Sequence, residues 1–307
     1  MGAAWQQMRS RRLGVSMLYP FSVPYYAQFG YVPAAGYGMV TVPLAAWQGW
    51  RSLDSRGWRV RRVPAEGVGA ECLAFLRTIA PQNHGWAVPR AGESQWRWWY
   101  QQRLCLFLER DGQLDAVALY SLNNGTGTTA GSIKIWLWGW RYEAGRQQLL
   151  HFFAQHRDQV STVTMDVPTQ TSVHHGWGTL PHLLPVHMAL PWMVRVVDLA
   201  HLPAIPLGGA SGTPPLAIAI SDSLCPWNAG TWLWANQRGN LRCTPAGTSG
   251  GQVPPLTATI EAVTALIYGT HTPAELVAQQ WLSGDDRSLE LLDTWFPPRA
   301  FYNPFKF

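Results

Sequence analysis

The chain has 307 residues and a net charge of +5; hydrophobic residues make up 47% of it and charged residues 13%. That balance excludes a disordered protein and leaves length for two or three domains, each with a buried core. Nearly all the positive charge is arginine, scattered apart from Arg9 to Arg12 and Arg59 to Arg62. No long basic stripe tracks a phosphate backbone, so nucleic-acid binding is disfavoured.

Met1 to Arg12 reads as a helix, with Trp5, Met8 and Leu13 on one side. "VSMLYP" follows as a short strand and "VPYYAQFG" as one or two helical turns, with Pro24 in the first turn and Gly30 as a left-handed stop. "YGMVTVPLAAW" is a second strand. "GWRVRRV" opens a new unit near Gly57, followed by a helix from Ala65 to about Ile79, a loop, and the helix "ESQWRWWYQQR". "LCLFLERDG" and "LDAVALYSL" are strands joined by a turn at Asp111-Gly112, a hairpin signal. The strand "IKIWLWGW", the helix "GRQQLLHFFAQHRDQ" and the strand "STVTMDV" complete this unit. From Pro191 the texture changes: "WMVRVVDL", "PPLAIAISD", "NAGTWLWAN" and "GNLRCTP" read as strands. "TATIEAVTALIYG" is a strand running into a helix, "TPAELVAQQWLSG" a helix entered at Thr272-Pro273, and "DDRSLELLDTWF" the last helix. The closing "PPRAFYNPFKF" is extended and too apolar to hang in water, which places it against the body. The order of elements is α+β and not a regular βαβ repeat.

Cys72, Cys105, Cys225 and Cys243 stand far apart with no Cys-x-x-Cys pair, which disfavours a structural zinc or a disulfide framework and fits a reducing cytoplasm. No apolar run is long enough to span a bilayer. "SVHHGWGTLPHLLPVH" gathers His174, His175, His182 and His187, but without helical spacing or neighbouring Cys and carboxylates it reads as a packed loop, not a metal site. "NNGTGTTAG" lacks the lysine and following helix of a phosphate loop and reads as a turn. Trp96, Trp99 and Arg103 share a helix face, the pattern of packing into a core. Two features remain. Tyr25, Tyr26 and Tyr31 crowd around Gly30, and an aromatic cluster ends in a carboxylate; together they offer a phenol that gives a proton and a carboxylate that takes one.

"LYPFSVPYYAQFGYVPA" resembles the Leu-Tyr-Pro-Phe, Phe-Gly-Tyr stretch of the enhanced intracellular survival family of GNAT acetyltransferases. "PWMVRVVDL", "CPWNAGTWLW", "LRCTP", "AVTALIYGTHTPAELVAQ" and the tail "PFKF" resemble that family's later elements in the same order. The resemblance implies an α+β chain of three regions. Residues 1–56 would be the C-terminal part of a truncated first GNAT domain, 57–190 a second, degenerate GNAT-like domain, and 191–307 a sterol-carrier-protein-like α/β domain. It implies acetyl transfer from acetyl-CoA, without a metal, to a primary amine of a small molecule or peptide, and a homo-oligomer, hexameric in the family. Carried over by position, Tyr31 is the general acid, the α-carboxylate of Phe307 the general base, and Tyr26 lines the acyl side of acetyl-CoA. The family's pyrophosphate-binding loop would lie ahead of Met1, from which weak binding of acetyl-CoA by this chain is expected. Lys306 stands where the family can carry an acid, which disfavours polycationic acceptors. The alternative is a non-catalytic ligand-binding or assembly module acting through the sterol-carrier-like region.

Overall fold

The computed structural model describes residues 1–34, 36–89, 101–125, 130–168, 179, 184–246, 255–299 and 301–305. These fall into two units: residues 1–35 with 190–301, and residues 36–189 with 302–307. Most of the helix expected at "ESQWRWWYQQR", the middle of the "NNGTGTTAG" turn and most of the histidine-rich stretch lie outside the described residues.

In the second unit the run Leu104 to Leu108 is apolar at every position because both faces of its strand are covered. Cys105 and Phe107 enter one core with Phe75, Leu76 and Ile79 of α3 (Gly69–Ile79). Leu106 and Leu108 enter another with Leu149, Leu150 and Phe153 of α4 (Glu143–Ala154). The period-2 alternation of a strand thus feeds two helical layers. The sheet between them has seven strands among the described residues, in the order β4-β5-β6-β7-β8-β3-β9. These are β3 (Tyr37–Pro43), β4 (Trp58–Pro64), β5 (Leu104–Arg110), β6 (Gln113–Asn123), β7 (Gly131–Trp140), β8 (Val160–Pro168) and β9 (Val186–Met188). Asp111 and Gly112, at φ 51° and 75°, make the tight β5–β6 turn that their sequence announces. Among the described strands of this sheet only β7 and β8 run parallel, as the intervening α4 permits. Tyr37–Pro43, grouped by sequence with the first 56 residues, pairs along its whole length with β8.

The first unit contains a three-stranded sheet in the order β1-β10-β2, from β1 (Val15–Leu18), β2 (Val32–Pro33) and β10 (Met193–Val196). It also holds a five-stranded sheet in the order β13-β12-β11-β14-β15, from β11 (Leu216–Ser221), β12 (Gly230–Gln237), β13 (Asn240–Pro245), β14 (Leu256–Thr259) and β15 (Leu282–Gly284). Helices α1 (Gly2–Ser10) and α2 (Val23–Ala27) flank β1, and α5 (Ile260–Tyr268), α6 (Pro273–Ala278) and α7 (Asp286–Trp295) lie in the C-terminal part. Trp232, Trp234, Ile218, Val263, Leu266, Leu292 and Trp295 form its main core. Among the described residues no helix is long and apolar enough to cross a membrane.

Candidate functional site

The tyrosine cluster is built by a short capped helix and a sharp exit. Ser22 caps α2 by accepting the Tyr25 N–H, and Pro24 sits in the first turn. The chain leaves through Gly30, at φ 75°, whose N–H donates to the Ala27 carbonyl at 2.9 Å. This turn brings Tyr26 and Tyr31 edge to face, with ring centroids 6.0 Å apart. Tyr31 is buried and its hydroxyl lies 2.7 Å from Ser16 Oγ, whereas Tyr25 is exposed. The two tyrosines to which the resemblance gives roles therefore meet. Phe307 lies outside the described residues.

A charged assembly, not singled out from the sequence, holds the same turn. Arg195 is fully buried. Its Nη1 donates to the Phe29 carbonyl at 2.7 Å, and its Nη2 to both oxygens of Asp222, at 2.8 and 3.0 Å. The guanidinium stacks over the Trp5 ring, with its carbon 4.6 Å from the centroid. Asp222 also accepts the N–H groups of Leu224 and Cys225 and the Asn228 amide, so its charge is well satisfied. Burial pushes the Cys225 thiol up, against the Arg195 contact that draws it down. A lone arginine inside the apolar run "WMVRVV" was the available sequence signal, because an unpaired charge is not buried there.

The second unit has an opening of its own. The β7–β8 ladder ends at Ile135 and Met165; beyond it, β7 pairs only with β6, and β8 only with β3. A cavity of about 340 Å³ lies at this divergence, walled by Trp86, Trp138, Trp140, Val167 and Tyr302. Burial, with Asp166 and Tyr37 nearby, holds the Tyr302 phenol well above the usual tyrosine range. The N-terminus of α4, beside it, is a position that favours anions. The chain supplies its own: Asp115 is buried there, near the Tyr142 backbone, and a Cβ at Gly145 would stand 2.8 Å from its carboxylate. Burial raises the Asp115 carboxyl above the ordinary range, opposed by Arg141. Among the described residues, no group of three or more His, Cys, Asp or Glu is placed to hold a metal ion.

Residues 86–196 match the family profile of an acetyltransferase (GNAT) domain, and residues 199–304 that of a sterol carrier protein domain. The class is thus an α/β chain with a GNAT acetyltransferase domain and a C-terminal sterol carrier domain. Within that class the fold is the one expected from the resemblance: Eis1 from Mycobacterium abscessus superposes with a TM-score of 0.72 at 15% identity, over 100% of this chain and 76% of that one. A GCN5-related N-acetyltransferase from Anabaena variabilis gives a TM-score of 0.81 at 16% identity, covering 100% of this chain and 76% of its own. One from Kribbella flavida gives 0.75 at 22% identity, covering 100% and 74%. None of the curated proteins compared matches the chain.

Proposed function

We propose that this protein acts in acetyl-CoA-dependent N-acetylation of a primary amine. The observation that carries the reading is Tyr31: its hydroxyl is buried, ordered by Ser16, and set in the Phe29-Gly30-Tyr31 turn of a chain with the GNAT fold. A neutral amine attacks the thioester carbonyl, and the departing CoA thiolate needs a proton that a fixed phenol can deliver. Tyr26, packed on Tyr31, lines the acyl side. The amine must first lose its own proton, and the resemblance gives that task to the Phe307 carboxylate. The protein works in the cytoplasm as a homo-oligomer, hexameric as the resemblance implies.

The test is thiol release from acetyl-CoA in the presence of a panel of primary amines. Tyr31→Phe keeps the ring and removes the proton donor, and turnover is expected to fall about a hundredfold or more. Extending the chain beyond Phe307 converts its carboxylate to an amide and is expected to abolish transfer without loss of folded protein. Full activity in both variants would overturn the roles of Tyr31 and Phe307, and thiol release with none of the amines would overturn the acetylation itself.

A second reading, as a ligand-binding or assembly module, is favoured by one observation. The helix terminus beside the β7–β8 opening already has the Asp115 carboxylate against it, so that terminus offers no cradle to a CoA pyrophosphate. Calorimetry with acetyl-CoA separates the two readings: absence of binding at millimolar ligand selects the second.

A further inference from the structure

We propose that Arg195, braced by Asp222, is the positioning residue of the Tyr31 turn, acting together with its cross-strand neighbour Ser16. This deepens the reading of Tyr31 as general acid and rests on it.

The register of the three-stranded sheet carries the argument. Ser16 on β1 pairs directly with Arg195 on the central strand β10, so the two side chains leave the sheet on the same face. Ser16 meets the Tyr31 hydroxyl, while Arg195 holds the Phe29 carbonyl two residues earlier. One cross-strand pair therefore grips the turn at both its backbone and its phenol. The residue between them is Gly30, where a Cβ would fall on the Arg195 guanidinium. Just after the turn, Val32 and Pro33 pair with Val194 and Met193, the two residues that immediately precede Arg195 on β10. The phenol is thus referenced to β10 through three separate contacts.

Stability alone is a poor account of this arginine. A buried ion pair is often no better than well-packed apolar residues of similar volume, and Arg195 Nε–H has no hydrogen-bond partner. What the guanidinium supplies, and an apolar chain could not, is a planar fork. One arm fixes a carbonyl, the other a carboxylate, and the face rests on Trp5. The carboxylate is in turn anchored to the segment 222–228 by two backbone N–H groups and an amide, so the fork has a rigid base.

The experiment uses the full chain labelled with 3-fluorotyrosine, the Tyr31 resonance being assigned by its loss in Tyr31→Phe. Arg195→Lys, Asp222→Asn and Ser16→Ala are compared with Leu276→Ala, which thins the separate main core of the same unit. The expected result is a Tyr31 resonance moved or broadened beyond its linewidth in the first three variants and unmoved in Leu276→Ala, even where thermal stabilities match. With an accepted amine, kcat in Arg195→Lys is expected to fall by about tenfold to a hundredfold while KM for acetyl-CoA changes little. A Tyr31 resonance unchanged in folded Arg195→Lys and Asp222→Asn overturns the proposal and leaves the pair a purely structural one. If Tyr31→Phe retains full turnover, the general-acid reading fails, and the resonance still decides whether Arg195 places the ring. Should Arg195→Lys not fold, Asp222→Asn, which keeps the arginine, decides in its place.

Discussion

Gly30 shows how narrow the tolerance of the candidate site is. At φ 75° an ordinary side chain is strained, and the space its Cβ would need is filled by a guanidinium. Comparison of two substitutions separates these effects. Asparagine tolerates the left-handed conformation, so if backbone strain were the whole cost Gly30→Asn would be close to neutral. The clash adds to the strain, and both Gly30→Ala and Gly30→Asn are expected to lose about 2 kcal/mol or more in urea unfolding. At Asp222 the cost is electrostatic. Asp222→Ala strands a buried cation and is expected to cost about 3–5 kcal/mol, read by the same measurement.

Among the elements, those with local chemistry were legible and those without it were not. Thr272 and Glu275 form a reciprocal capping box: the Thr272 hydroxyl accepts the Glu275 N–H, and the Glu275 carboxylate accepts the Thr272 N–H at 2.7 Å. Thr272-Pro273 announces this helix start in the sequence, and Thr272→Ala is expected to cost about 1 kcal/mol in thermal or denaturant unfolding. The β5–β6 hairpin was legible for the same reason, through Asp111-Gly112. By contrast, Val186–Met188 is exposed at all three positions and only three residues long, too short for its Val-His-Met alternation to mark it as a strand. It exists because β3 offers an edge. The insertion of β3 between β8 and β9 is likewise a property of pairing across more than a hundred residues, which no short motif records. The site divides in the same way. Tyr26 and Tyr31 were legible because one turn carries both, whereas Ser16 and Arg195 become neighbours only through a register between strands 179 positions apart.

At the scale of the whole molecule, each unit buries a phenol at the cost of its ionised form. Burial lifts the hydroxyls of Tyr268 in the first unit and Tyr302 in the second above the usual tyrosine range. A group whose pKa is raised in the folded state keeps its proton more tightly there, so its contribution is complete below the unfolded value of about 10. It is lost as pH rises through the folded value. Stability is therefore expected to decline above about pH 10, with these two tyrosinates detected by absorbance only as unfolding proceeds. Tyrosinate formation by both residues in protein with a native near-ultraviolet spectrum would contradict this. The order of strands also has a consequence in time. The middle strand of the β1-β10-β2 sheet is made about 160 residues after the strands it joins, and the whole seven-stranded sheet is encoded in between. During synthesis β1 and β2 lack this partner strand until the seven-stranded sheet between them and β10 has been made. Closing such a distant pairing is slow compared with making a hairpin. In refolding followed by pulsed hydrogen exchange, the amides of Val15–Leu18 are expected to gain protection after those of the β5–β6 hairpin. Tyr31, in the turn that this sheet holds, would then be among the last parts of the molecule to find its place.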